Sequence, residues 1–286
     1  MGMSRTTVVG IGELLWDIFP TGKRAGGAPA NFVYHACAQG MQGYAVSAVG
    51  NDNLGRELLE VLAQNHIQYL CEKVNYPTGQ VQVTLQNGQP SYNIVENVAW
   101  DHIPLTKQSL ELVQNAQAVC FGSLALRHPE SRKTILSLLE HTPHHAIRFF
   151  DVNLRQHYYS KELIEQLLQH ANVLKINDEE LVVLSDLFEL TGSEDEKCQT
   201  LLKKYQLRYL VLTAGEKYSV IYTPDEVSRL QTPRVEVADT VGAGDSFSGA
   251  FVASILAGKT LRQAHEQAVQ TAAFVCTKTG AWPAYH

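Results

Sequence analysis

The chain has 286 residues, 45% apolar and 18% charged, a globular composition long enough to bury a sizeable core. A net charge of −6 speaks against nucleic acid, which needs a basic surface to displace counterions, so any bound phosphate must be held locally. No run approaches the roughly eighteen apolar residues of a membrane span, the opening MGMSRTTVVGIGE lacks a secretory core, and the cysteines are scattered without CxxC; a cytoplasmic protein with buried thiols is expected.

In chain order, strands are predicted over 7–12, 45–50, 118–122, 148–152, 173–176 and 209–213, on apolar runs closed by glycine or polar residues. Helical periodicity predicts helices over 29–39, 54–65, 129–140, 163–170, 179–186, 196–205, 245–257 and 261–277. Strand followed by helix, repeated along the chain, predicts an α/β fold with a mainly parallel sheet between helices. QVQVTLQNGQPSYNIV breaks that rhythm: Val81, Val83 and Leu85 alternate with polar residues, Asn87-Gly88 supplies a turn, and Tyr92 and Ile94 return. A hairpin wetted on one face is unstable alone, so it must pack over a cleft or against a second subunit.

Two nucleotide-binding signatures fail. GIGELL has Leu15 where a third glycine should stand, and Gly258-Lys259-Thr260 follows a helix with Ala253 in place of the first glycine of a phosphate loop. Gly258 reads instead as a helix C-terminal glycine. The informative segment is VEVADTVGAGDSFSGAFVASIL, in which a strand-like run enters Gly242-Ala243-Gly244 and a helix leaves from Asp245. Glycines there let backbone N–H groups converge at the positive end of a helix, an anion site that needs no basic side chain. Asp245 reads either as a plain helix N-cap or as a functional acid. Asp239, six residues upstream, and the small face of Ser248, Gly249, Ala250 and Ala253 favour the second. RAGGAPANFVYHA sets Gly26-Gly27 before another helix, with Pro29 and Asn31 in its opening turn, which is either an ordinary helix start or part of a site. Asp17, between Trp16 and Ile18, is either an exposed turn acid or a carboxylate able to accept hydrogen bonds from neighbouring sugar hydroxyls.

GGAPAN and DTVGAGD, in that order and about 210 residues apart, resemble the two signatures of the ribokinase-like (PfkB) carbohydrate kinases. The resemblance spans the chain, taking in the hairpin at 80–95, LKINDEEL, VLTAGEKYS and TKTGAWP, and FGSLALR, DVNLR and ENVAW are most similar to fructokinases. It implies one domain over 1–286, a ribokinase-like three-layer sandwich with a β lid from about 13–25 and 78–98 that could also pair a homodimer. It implies ATP-dependent transfer of the γ-phosphoryl group to a hydroxyl of a small sugar, fructose first. A kinase for 2-keto-3-deoxygluconate or a nucleoside-like riboside, or a catalytically silent binding relative, stays open.

Residue by residue, the resemblance makes Asp245 the acceptor of the attacking hydroxyl's proton and the amides of Gly242, Ala243 and Gly244 the cradle of the phosphoryl oxygens. Asn177 and Glu180 would organise Mg²⁺ and its waters; Thr213 and Gly215 would contact the nucleotide, with departures at Ala214 and Tyr218 that leave ATP against GTP open. Asp239 and the carbonyls of Val241, Val275 and Gly280 would hold potassium. Asp17, Gly26, Gly27 and Asn31 would bind the sugar, and Tyr92 would close from the lid. Arg155 would reach the sugar or its phosphorylated product, or else serve as a structural ion-pair partner.

Overall fold

Near-continuous apolar runs, the pattern of strands covered on both faces, supply the central sheet. A computed structural model describes residues 6–86 and 89–285, with the side chains of 83–92 outside the described set. The first half of the chain runs β1 (Thr7–Ile11), β2 (Leu15–Phe19), β3 (Gly22–Gly26), α1 (Ala28–Ala38), β4 (Gln42–Gly50), α2 (Asn53–Gln64), β5 (Gln68–Val74), β6 (Gly79–Gln86), β7 (Gln89–Ile94), α3 (Lys107–Gln114), β8 (Ala118–Gly122) and α4 (Pro129–His141). The second half continues with β9 (Ile147–Asp151), α5 (Lys161–His170), β10 (Val173–Asn177), α6 (Asp178–Phe188), α7 (Glu194–Lys204), β11 (Tyr209–Thr213), β12 (Tyr218–Tyr222), β13 (Val227–Gln231), α8 (Ala243–Leu256) and α9 (Leu261–Cys276).

The large sheet has nine strands in the order β13-β12-β11-β10-β9-β8-β1-β4-β5. Pairing is parallel from β11 to β5, and β12 and β13 add antiparallel strands at one edge. Successive residues feed two cores: Val9 packs with α3 to α7 on one face, and Val8 with α1, α2, α8 and α9 on the other. This is the expected three-layer α/β sandwich. From β1 the chain turns first to β4 and β5 and later to β8, so the crevice beyond the C-terminal ends of the strands opens at this reversal, where α/β sheets bind ligands.

A second sheet of four strands, β3-β2-β6-β7, is made from the two stretches on either side of β4 and α2. Its inner positions Leu15, Val81 and Ile94 sink into the main core, which anchors a sheet too small to stand alone. The Asn87-Gly88 turn lies outside the described residues. Among the described residues no helix is long and apolar enough to cross a membrane.

Three local expectations change. The strand-like run at 235–238 is irregular and exposed, Val237 by 59%, because Pro233 cannot donate to the β12 ladder and the Ala238 N–H goes instead to the Cys276 carbonyl at 2.9 Å. α8 begins two residues earlier than expected, with Gly242 as its cap at φ 78°, so Asp245 stands in the first turn and is not the cap. β5, β12, β13 and α3 escaped the sequence reading; β5 and β13 are edge strands whose outward faces are polar, so neither needs a long apolar run. Gly258, at φ 77°, does close α8 as expected.

Candidate active site

Two glycine turns lead into two helices that pack side by side. Gly249 of α8 lets the helices touch: a methyl group there would stand 2.6 Å from the Phe32 carbonyl of α1. That contact brings Asn31 of α1 to Asp245 of α8, 214 positions away, where Asn31 Nδ2 donates to Asp245 Oδ2 at 2.7 Å. The other end of the amide accepts from Trp282 Nε1 at 2.7 Å. Asn31 was expected to bind sugar; its amide is held at both ends, by Asp245 and Trp282, and keeps one N–H and one lone pair beyond these bonds. Asp245 is only partly open to solvent, and desolvation, reinforced by the Asp151 charge, pushes its carboxyl up to about 6 against the pull of Asn31, Lys175 and Arg155.

The turn before α8 differs in one respect from the expectation of three free amides: the Ala243 N–H donates to the Thr240 carbonyl at 3.2 Å. The Gly244 and Asp245 N–H groups have no intrahelical acceptor, the Ser246 N–H returns to the Gly242 carbonyl at 2.8 Å, and Gly244 is exposed. Behind Gly244 lies a group that sequence reasoning missed: a methyl group on Gly244 would stand 3.3 Å from Lys175 Nζ. Lys175 on β10 faces Asp151 on β9 in register and donates to its two oxygens at 2.9 and 2.8 Å. The signal was present, a lysine inside VLKIN and an acid closing IRFFD, two charges on adjacent apolar strands.

The turn before α1 is built for a different job. Gly27 caps the helix at φ 118°, and its missing side chain admits the Glu13 carbonyl, which a Cβ would meet at 2.2 Å. Glu13, also missed, is 4% exposed; Oε1 accepts from the Ala28 N–H at 3.3 Å and Oε2 has no partner among the described residues. Burial pushes its carboxyl up to about 7. Asp17 on β2 sits against Gly26, where a methyl group would stand 2.7 Å from Oδ2, and burial lifts its carboxyl to about 6 although Arg24 and Arg155 oppose the shift. It is half-buried beside the crevice, not an exposed turn acid. Arg155 is exposed, donates to the Leu154 carbonyl at 3.0 Å, and makes no ion pair among the described residues. The Tyr92 side chain lies outside the described residues.

Asn177 and Glu180 form a capping box on α6: the Asn177 side chain accepts from the Glu180 N–H at 2.7 Å, and Glu180 Oε2 accepts from the Asn177 N–H at 2.8 Å. Glu180 Oε1 accepts from the Leu154 N–H at 3.0 Å, and the residue is 6% exposed, so it is no solvated helix start. With both oxygens engaged, the pair fits magnesium through the ion's water molecules and not by direct ligation. The segments that carry the expected potassium ligands meet around Asp239. Asp239 accepts from Val241 N at 3.1 Å, Gly280 N at 3.0 Å and Arg24 Nη1 at 3.1 Å, while the Val275 carbonyl accepts from Lys278 N at 2.9 Å. Arg24 thus supplies one positive partner for Asp239, while the bonds from Val241 and Gly280 use their N–H groups and not the carbonyls expected to face potassium.

From Gly244 a cleft of about 840 Å³ runs to Thr213 and Gly215 and is walled by Phe247, Val269 and Cys276. Its size suits a small ligand, and its apolar wall suits a flat one.

The profile of the pfkB family carbohydrate kinase matches residues 12–285. Fructokinase-2 of Solanum lycopersicum is 29% identical, with 97% of this chain and 92% of that protein aligned. The ATP-dependent 6-phosphofructokinase of Thermoanaerobacterium thermosaccharolyticum is 27% identical over 96% of this chain and 89% of its own. The crystal structure of an uncharacterized sugar kinase from Pyrococcus horikoshii in complex with ATP superposes with a TM-score of 0.83 at 28% identity, over 96% of this chain and 94% of that one. The chain belongs to the pfkB family of carbohydrate kinases, phosphotransferases that act on a sugar hydroxyl.

Proposed function

We propose that this kinase transfers the γ-phosphoryl group of ATP to a hydroxyl of free fructose. The observation that carries the reading is the Asp245 carboxylate, held at Oδ2 by Asn31 at the head of the cleft that runs from Gly244 to Thr213. Nucleotide lies along that cleft with its terminal phosphate at the turn before α8, and Oδ1 of Asp245 accepts from the attacking hydroxyl. An acid near pKa 6 cannot deprotonate an alcohol of pKa about 15.7 before attack, so the proton moves late. In a loose phosphoryl-transfer transition state, orientation and charge stabilisation by the turn's amides outweigh base strength. Asn177 and Glu180 would hold magnesium, which would supply further neutralisation of phosphate charge.

The sugar lies over Gly26 and Gly27, beneath the small sheet acting as a lid, with Asp17 accepting hydroxyls and Arg155 closing from the rim. The Asp17 carboxyl against Gly26 favours an unphosphorylated sugar over a phosphorylated one. The likeness to tomato fructokinase supports fructose.

A coupled assay of ADP release over fructose, other hexoses, fructose 6-phosphate, 2-keto-3-deoxygluconate and ribosides tests the reading. Fructose should give the highest kcat/KM; a riboside or a sugar phosphate that outruns it overturns the assignment.

A further inference from the structure

A lysine and an aspartate facing each other across two apolar strands are hard to explain as glue. Both are nearly dry, Lys175 7% exposed and Asp151 5%. Replacing such a pair by apolar residues is often neutral or stabilising, so stability alone is a weak reason for it. The pair is also not isolated. Ser248 of α8 reaches Asp151 Oδ2 at 3.4 Å, and Lys175 lies directly behind Gly244, the exposed glycine of the anion turn. Asp151 holds the ammonium with both oxygens, and the charges of Glu180 and Asp245 also act on it. One dry ammonium thus stands among three carboxyls at the place where the transferring group's negative charge must arrive. At Asp245 the Asp151 charge works against the ionised form and Lys175 works for it.

We propose that Lys175 is a positioning residue for phosphoryl transfer, a fixed cation behind Gly244 that offsets Asp151, Glu180 and Asp245 so that the phosphoryl group can enter the turn beside an ionised Asp245. It touches no substrate atom; it acts through the glycine turn and through Asp245. The inference rests on the phosphotransfer reading of the site and not on which sugar is used.

The two roles of Lys175, partner of Asp151 and balance for the site, come apart in a double variant. Lys175→Met leaves Asp151 uncompensated and loses both stability and turnover. Adding Asp151→Asn removes the stranded charge, so Lys175→Met/Asp151→Asn should regain the melting temperature. If Lys175 serves the chemistry, the double variant still turns over about 10- to 100-fold more slowly than wild type, with KM for the sugar within about twofold. It should also bind inorganic phosphate more weakly than wild type in calorimetry. Recovery of wild-type kcat by the double variant, or unchanged phosphate binding, shows that Lys175 is only the partner of Asp151 and overturns the proposal. All turnover is measured on whichever sugar the wild type accepts, so a failure of fructose as substrate does not touch this test.

Discussion

The two glycine turns share one local grammar, two glycines leading into a helix, and present different surfaces. Before α8, Gly244 faces outward: it is exposed, its amide and that of Asp245 are open, and an ammonium stands behind it. Before α1 the glycines face inward: Gly27 admits the Glu13 backbone, and the Glu13 carboxyl already takes the Ala28 amide. A helix N-terminus attracts anions in general, but the second one is filled by the protein's own carboxyl and is left to neutral hydroxyls. The lesson is that a helix start becomes a phosphate site only if nothing in the chain gets there first.

The comparison breaks most severely at Asp245. Asp245→Ala should lower kcat roughly 10²- to 10⁴-fold while sugar and ATP still bind with near-normal affinity, as equilibrium binding will show; near-normal turnover removes Asp245 from the chemistry.

A smaller effect separates the inward turn by pH. A carboxyl whose folded pKa lies above its unfolded value costs stability as it ionises. For Glu13 the cost is absent below pH 4.5, grows as pH rises toward about 7, and then levels off. Glu13→Gln keeps the acceptor for Ala28 and cannot ionise, so it should match wild type at low pH and exceed it by up to about 3 kcal/mol above neutrality. Urea midpoints across pH measure this, and a gap that does not vary with pH contradicts the assignment.

The smallest effect tests the bond between the turns. Asn31→Ala removes the donor that favours ionised Asp245, so kcat should fall about tenfold. The acid limb of kcat, which drops as pH falls through about 6 in the wild type, should move to higher pH. An unmoved limb assigns Asn31 to packing alone.

Much of this was legible in the chain. Repeated apolar runs followed by 3.6-residue periodicity specified the α/β sandwich, because a strand covered on both faces has little freedom in composition. The hairpin at 80–95 was equally plain, since period-two alternation has a single structural meaning. Lys175 and Asp151 were visible as charges in apolar strands, but their meeting is a matter of register between β9 and β10, which no local pattern reports. Glu13 looked like one member of a failed dinucleotide signature, and its burial follows from a contact with Gly27 fourteen positions on.

By itself the sequence determined the layers, the two glycine turns and the acid after the second of them, because backbone freedom and periodicity are local properties. Only the tertiary structure decided what each turn can bind. Asp245 is held by an asparagine 214 positions away, the turn before α8 is backed by a lysine from another strand, and Asp239 is paired with Arg24 from β3. Charge acts through space, so the electrostatics of the site could be set only once the fold had brought these groups together.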